Sequence, residues 1–109
     1  MGTATVEVSG AHATQWAAEV HAALEANAGP GERVLPVEVE RSAELVVAVI
    51  GLVFAGVGTA KTLWDWWQAG RREGGTVKVQ FSDGTTVALS GANLDQLEIV
   101  FQQADTQQS

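Results

Sequence analysis

The spacing of hydrophobic residues changes along the chain, and each change marks a predicted element. Residues 5–8 alternate between polar and apolar side chains, which predicts a short first strand. The next apolar residues recur every three or four positions, which predicts a helix that begins at Thr14 and ends at the turn of residues 27–31. Its apolar positions are Trp16, Val20, Ala23 and Leu24. Valines among polar neighbours at residues 33–40 predict a second strand, and Pro36 favours an edge position or a bulge for it.

Residues 76–90 predict a β-hairpin, because apolar and polar side chains alternate on both sides of a turn sequence. A three-residue loop at 82–84, with Gly84 in a left-handed conformation, would pair Val79 with Val87 and give one apolar face. A two-residue loop would instead pair polar with apolar side chains. The sequence therefore favours the three-residue loop.

The last predicted element is an amphipathic helix over residues 93–104, followed by a frayed tail at 105–109. Asn93 and Gln96 have the spacing of a capping box. The apolar stripe of this helix is formed by Leu94, Leu97, Val100 and Phe101.

Residues 42–73 predict one long central helix without a polar face. Ser42 is a favourable N-cap with Glu44 in the first turn, and Arg71 and Arg72 suit the C-terminal end of the helix dipole. Between them, residues 45–60 contain no charged side chain. Such a helix needs apolar partners on more than one side.

Small residues recur at helical spacing in this segment and predict a stripe that permits close approach of another backbone. Three tryptophans follow within one helical turn, so we expect at least one of them to be exposed. Tryptophan is common at the centres of protein interfaces. The predicted interface residues are Ala48, Gly51, Ala55, Gly58, Thr62, Trp64, Trp66 and Trp67.

The order of predicted elements is β-α-β-α-β-β-α over residues 1–109, which we expect to form a single α+β domain. Alternation of elements in this order favours a ferredoxin-like layout, with a four-stranded, mostly antiparallel sheet and helices on one side.

Three explanations remain open for the apolar helix. It is covered by its own domain, or it binds a protein partner or a second copy, or residues 44–67 form a membrane anchor with the tryptophans at the interface. The uncharged stretch is shorter than the roughly 18 residues that a spanning helix needs, and Lys61 and Asp65 interrupt its extension.

Composition excludes several classes of function. The formal net charge of −7, with six Lys and Arg, opposes binding to nucleic acid. Cysteine is absent, and His12 and His21 have no third ligand at a recognisable spacing, so we expect no catalytic site, cofactor or metal. Asp65 is explained as a helix-surface partner of Lys61. Residues 1–9 lack the pattern of a secretory signal, and we expect a cytoplasmic protein with membrane association as the alternative.

One part of the chain resembles the effector-associated constant component family of bacterial conflict systems. This part runs from Ser42 through the Gly/Ala-rich apolar stretch to Trp64-Asp65-Trp66-Trp67 and Arg71-Arg72, and the 76–87 hairpin and an amphipathic helix follow it. The resemblance covers residues 40–104. It implies a non-catalytic adaptor in defence or programmed death, encoded beside effectors such as trypsin-like or caspase-like peptidases. The implied partner is such an effector, a second copy of the chain, or both.

Overall fold

The computed structural model describes residues 1–41, 45–70 and 74–107, which form a mixed α+β structure. The strands in this part of the chain are β1 (Gly2–Gly10), β2 (Arg33–Val34), β3 (Glu38–Arg41), β4 (Val46–Phe54), β5 (Gly75–Phe81) and β6 (Thr86–Ala88). The helices are α1 (Ala13–Ala26), α2 (Gly58–Ala69) and α3 (Leu94–Gln107), with one 3-10 turn at Leu89–Gly91.

All pairings in the sheet are antiparallel, and the strand order is β2-β4-β1-β5-β6. The short strands β2 and β3 pair with different parts of the same edge of β4. Pro36 lies in the chain between them, so the predicted second strand is two strands at a sheet edge. The prediction of a largely antiparallel sheet is confirmed, but the described sheet has six strands rather than four.

The hydrophobic core lies on one face of this sheet. Val6 and Val8 of β1 and Ile50 of β4 are buried there, together with residues from all three helices. At one end, Phe101 of α3 packs edge-to-face against Phe54 and Phe81, with ring centroids 4.7 and 5.0 Å away. The helices therefore form a single layer over one side of the sheet.

The prediction of one long helix over residues 42–73 is wrong. Residues Val46–Phe54 form strand β4, and α2 does not begin until Gly58. The segment is rich in β-branched valine and isoleucine, which favour a strand, and its apolar residues follow neither the period of a helix nor that of a half-exposed strand. Gly56, between the two elements, has φ +70°, which ends the strand in a turn. Ser42, Glu44, Arg71 and Arg72 lie outside the described residues.

The ends of the chain follow the predictions more closely. Val79 pairs with Val87 in the hairpin, and the N–H of Phe81 donates to the carbonyl of Thr85 at 2.8 Å, which confirms the three-residue loop. Helix α3 continues to Gln107, three residues beyond the predicted end at residue 104. Helix α1 begins one residue before Thr14, with His12 at the N-cap.

Candidate protein-binding face

The face of the sheet opposite the helices, which we call the open face, has no helix over it among the described residues. In β1 and β5 its side chains are polar, and they include Thr5, Glu7 and Lys78. In β4 they are apolar. Because cross-strand partners share a face of a sheet, the pairing register shows which side chains lie next to one another on the open face.

Strand β4 is apolar on both faces. Ala48, Ile50, Leu52 and Phe54 lie in the core, whereas Val47, Val49 and Val53 lie on the open face and are only half-buried. Near-continuous apolar strands are typical of sheets that are covered on both sides. The second side of β4 therefore has the composition of a covered surface, but no helix of the described residues covers it.

Leu35 extends this apolar surface towards the sheet edge. Its N–H donates to the carbonyl oxygen of Gly51 at 2.9 Å, and its side chain lies against Gly51, where an added Cβ would be 2.7 Å from Leu35 Cδ1. The leucine is nevertheless 43% exposed. The glycine thus allows a large apolar side chain to lie over the strand where a fourth valine would otherwise project.

Carboxylates flank this apolar surface on both sides. Val49 lies between Glu7 of β1 and Glu38 of β3, and Val47 lies beside Glu40. Val47, Val49 and Val53 form a column along the open face of β4, which we call the apolar column. Lys78 is the cross-strand partner of Glu7, and Arg33 pairs with Val53 at the far end of this column. The end of the column around Val47 and Val49 is therefore predominantly negative.

The predicted stripe of small residues does not exist as one surface. Ala48 is buried in the core, and Gly51 lies on the open face. Ala55 lies in the turn after β4, where its N–H donates to Glu32 Oε2 at 3.0 Å. Gly58 and Thr62 lie on α2, where the Thr62 hydroxyl donates to the Gly58 carbonyl. Of the five, only Gly51 is part of the open face.

Trp66 and Trp67 of α2 pack against a tryptophan of α1 instead of forming an exposed surface. Trp66 is buried, and Trp64 and Trp67 are half-buried, so the expectation that one of them is exposed is wrong. Trp16 of α1 packs edge-to-face against Trp66 and Trp67, with ring centroids 6.5 and 6.4 Å away. These contacts join α1 to α2 on the helical side of the molecule.

The predicted interface residues do not include the apolar side chains of the open face, which are Leu35, Val47, Val49 and Val53. The signal for them is present in the sequence, since β-branched residues occupy both odd and even positions of residues 46–53. Assigning the stretch to a helix placed these valines on a different face. By contrast, the predicted pair of Lys61 and Asp65 is confirmed, with Nζ and Oδ2 3.1 Å apart and both side chains exposed.

The candidate titratable residues have structural roles. His21 Nε2 lies 3.1 Å from the carbonyl oxygen of Leu35 and 3.3 Å from the Glu25 carboxylate, and the His12 ring packs on Trp16. In the ranges that the structure describes, no three His, Cys, Asp or Glu side chains are grouped so that they could hold a metal ion.

The described helices include none that is both long and apolar enough to cross a membrane. The anchor alternative required one helix over residues 44–67, and that stretch contains strand β4 and most of α2. No protein-family model matches the chain, and comparison with curated proteins and with solved structures also gives no match.

Proposed function

We propose that this chain is a non-catalytic adaptor that binds another protein through the open face. The observation that supports this most directly is the pair of apolar faces on β4, of which the helical layer covers one. A continuous apolar patch on the surface of a soluble domain usually marks an interaction site. Val47, Val49, Val53 and Leu35 form such a patch.

The resemblance to the effector-associated constant component family supplies the biological setting of this proposal. We propose that the partner is an effector of a bacterial conflict system, such as a peptidase encoded beside the adaptor, and that both act in the cytoplasm.

We also propose that the fold is an elaborated ferredoxin-like arrangement. Helix α1 connects β1 to β2 and β3, and these strands lie on opposite sides of β4. Helix α2 connects β4 to β5, and these two strands lie on opposite sides of β1. This interleaving of two β-α-β units supports the assignment. Strand β6 is then an addition at the second edge of the sheet, and helix α3 is an addition to the helical layer.

The test is co-expression of the chain with the effector encoded beside it, followed by size-exclusion chromatography with light scattering. We expect a complex of defined stoichiometry. In the double variant Val47→Thr/Val49→Thr the side-chain shape and strand propensity are retained but apolar contact is lost, so we expect the complex to dissociate. A matched variant on the helical side, Ile99→Thr, removes a 55% exposed apolar side chain and should leave the complex intact. Equal binding by all three proteins contradicts the proposal.

A further inference from the structure

We infer that the partner of the open face is a cationic amphipathic polypeptide, whose apolar side chains cover the valines of β4 while its Lys or Arg residues meet the flanking carboxylates. This inference rests on the proposed function and adds the chemistry of the partner. It follows from which charges border the apolar surface.

The charges are arranged in rows across the sheet. One row runs Lys78, Glu7, Val49, Glu38, and the neighbouring row ends in Val47 and Glu40. An apolar side chain over Val49 therefore lies between two carboxylates from different strands. A partner with basic residues on both sides of an apolar ridge can pair with both carboxylates. An acidic partner would instead be repelled by both of them.

A second copy of this chain is the poorer occupant. Two-fold packing of one open face on another about an axis near Val49 would bring Glu7, Glu38 and Glu40 of each copy close to the carboxylates of its partner. Each chain also has a formal net charge of −7. Both terms oppose association of the chain with itself near neutral pH.

The probes are two short, fluorescently labelled synthetic peptides with the same helical pattern of leucines. All positions that are not leucine are lysine in one peptide and glutamate in the other. We expect the lysine peptide to bind at least about tenfold more tightly than the glutamate peptide, and more weakly as salt is raised. Equal affinities for the two peptides would overturn the inference.

Substitutions then separate the open face from general attraction to an acidic protein. We expect Glu38→Gln/Glu40→Gln to weaken binding of the lysine peptide roughly tenfold, since two flanking charges are lost. The control Glu25→Gln/Asp95→Asn removes two exposed carboxylates from α1 and α3 and so changes the net charge equally. Equal weakening by both pairs would show attraction without a site and count against the inference.

A third variant should increase affinity, which a folding defect cannot imitate. Lys78 is exposed beside Glu7, so Lys78→Gln removes the positive charge that faces the partner, and we expect the lysine peptide to bind about two- to threefold more tightly. Unchanged or weaker binding contradicts the inferred position of the partner.

The two levels of the proposal fail separately. In one outcome, Val47→Thr/Val49→Thr dissociates the effector complex, but the chain binds the two peptides equally and the charge variants do not change this. The adaptor function then stands and the cationic partner is wrong. If the unmodified chain alone forms a dimer at neutral pH that the same double variant dissociates, the open face binds a second copy and the inference is also wrong.

Discussion

Gly56 and Gly58 are separated by one residue and have different structural requirements. Gly56 has φ +70° in the turn between β4 and α2, whereas Gly58 is the first residue of α2 and has no positive φ. Neither would place an added Cβ within 4 Å of another group. Backbone conformation alone therefore decides the effect of alanine at each position.

We predict different effects on stability for the two alanine substitutions. Gly56→Ala should destabilise the protein by about 1 kcal/mol, because a left-handed conformation is strained for alanine. Gly58→Ala should be neutral or stabilise by up to about 1 kcal/mol, because alanine favours the helix and restricts the unfolded chain. Urea denaturation measures both. A continuous helix through residues 42–73 predicts stabilisation in both variants, so that result would contradict the strand–turn–helix path.

The hairpin loop contains a carboxylate whose charge matters for the fold. The N–H of Thr85 donates to Asp83 Oδ1 at 2.9 Å, and this backbone hydrogen bond holds the pKa of the Asp83 carboxyl below its ordinary value. A depressed pKa in the folded state means that the ionised group stabilises the fold above the unfolded-state pKa. That contribution is lost as pH falls through the folded-state pKa.

We therefore predict that Asp83→Asn lowers the urea midpoint at neutral pH and that its difference from the unmodified protein shrinks in acid. An asparagine can accept the same hydrogen bond but has no charge to protonate. NMR titration of the Asp83 carboxyl carbon provides the direct measurement. A titration midpoint at or above the ordinary aspartate range would remove the basis of this prediction.

At the scale of secondary-structure elements, prediction succeeded where a single periodicity was supported by turn or cap residues. Asn93 and Gln96 form the capping box, with the Gln96 N–H donating to Asn93 Oδ1 at 2.8 Å and the Asn93 N–H to Gln96 Oε1 at 3.2 Å. Gly84 adopts φ +95° in the predicted hairpin loop. These local hydrogen bonds and dihedral preferences are properties of neighbouring residues, so the sequence alone predicts them.

Strand β4 could not be assigned in the same way. Its partners, β1, β2 and β3, are distant or short, and an apolar run has no period from which to decide between a strand and a buried helix. The predicted stripe of small residues was wrong with it, because the face on which each side chain lies depends on that decision. The sequence did show that this segment is apolar on more than one side.

Helix α3 offers a test of how the elements pack. Phe101 is fully buried between Phe54 and Phe81, whereas Ile99, two residues earlier on the same helix, is 55% exposed. We predict that Phe101→Ala lowers the free energy of unfolding by about 3–5 kcal/mol and that Ile99→Ala changes it by less than about 0.5 kcal/mol. Similar losses in the two variants would mean that α3 packs through a different face.

At the scale of the whole molecule, its two sides have different compositions. The helical side encloses the core with tryptophan and phenylalanine contacts, and the open face combines an apolar column with carboxylates. We propose that the carboxylates oppose association of that apolar surface with itself while leaving it available to a basic partner. The same charges would then both favour the partner and act against aggregation.

This balance predicts pH-dependent self-association. The sequence pI is about 4.5, so acidification towards that value removes the net charge that keeps copies of the chain apart. We expect light scattering to show a monomer at pH 7 and concentration-dependent association near pH 4.5. Val47→Thr/Val49→Thr should suppress that association, because the apolar column supplies its contacts, whereas Ile99→Thr should not. Association that is equal in both variants would place the contact away from the open face.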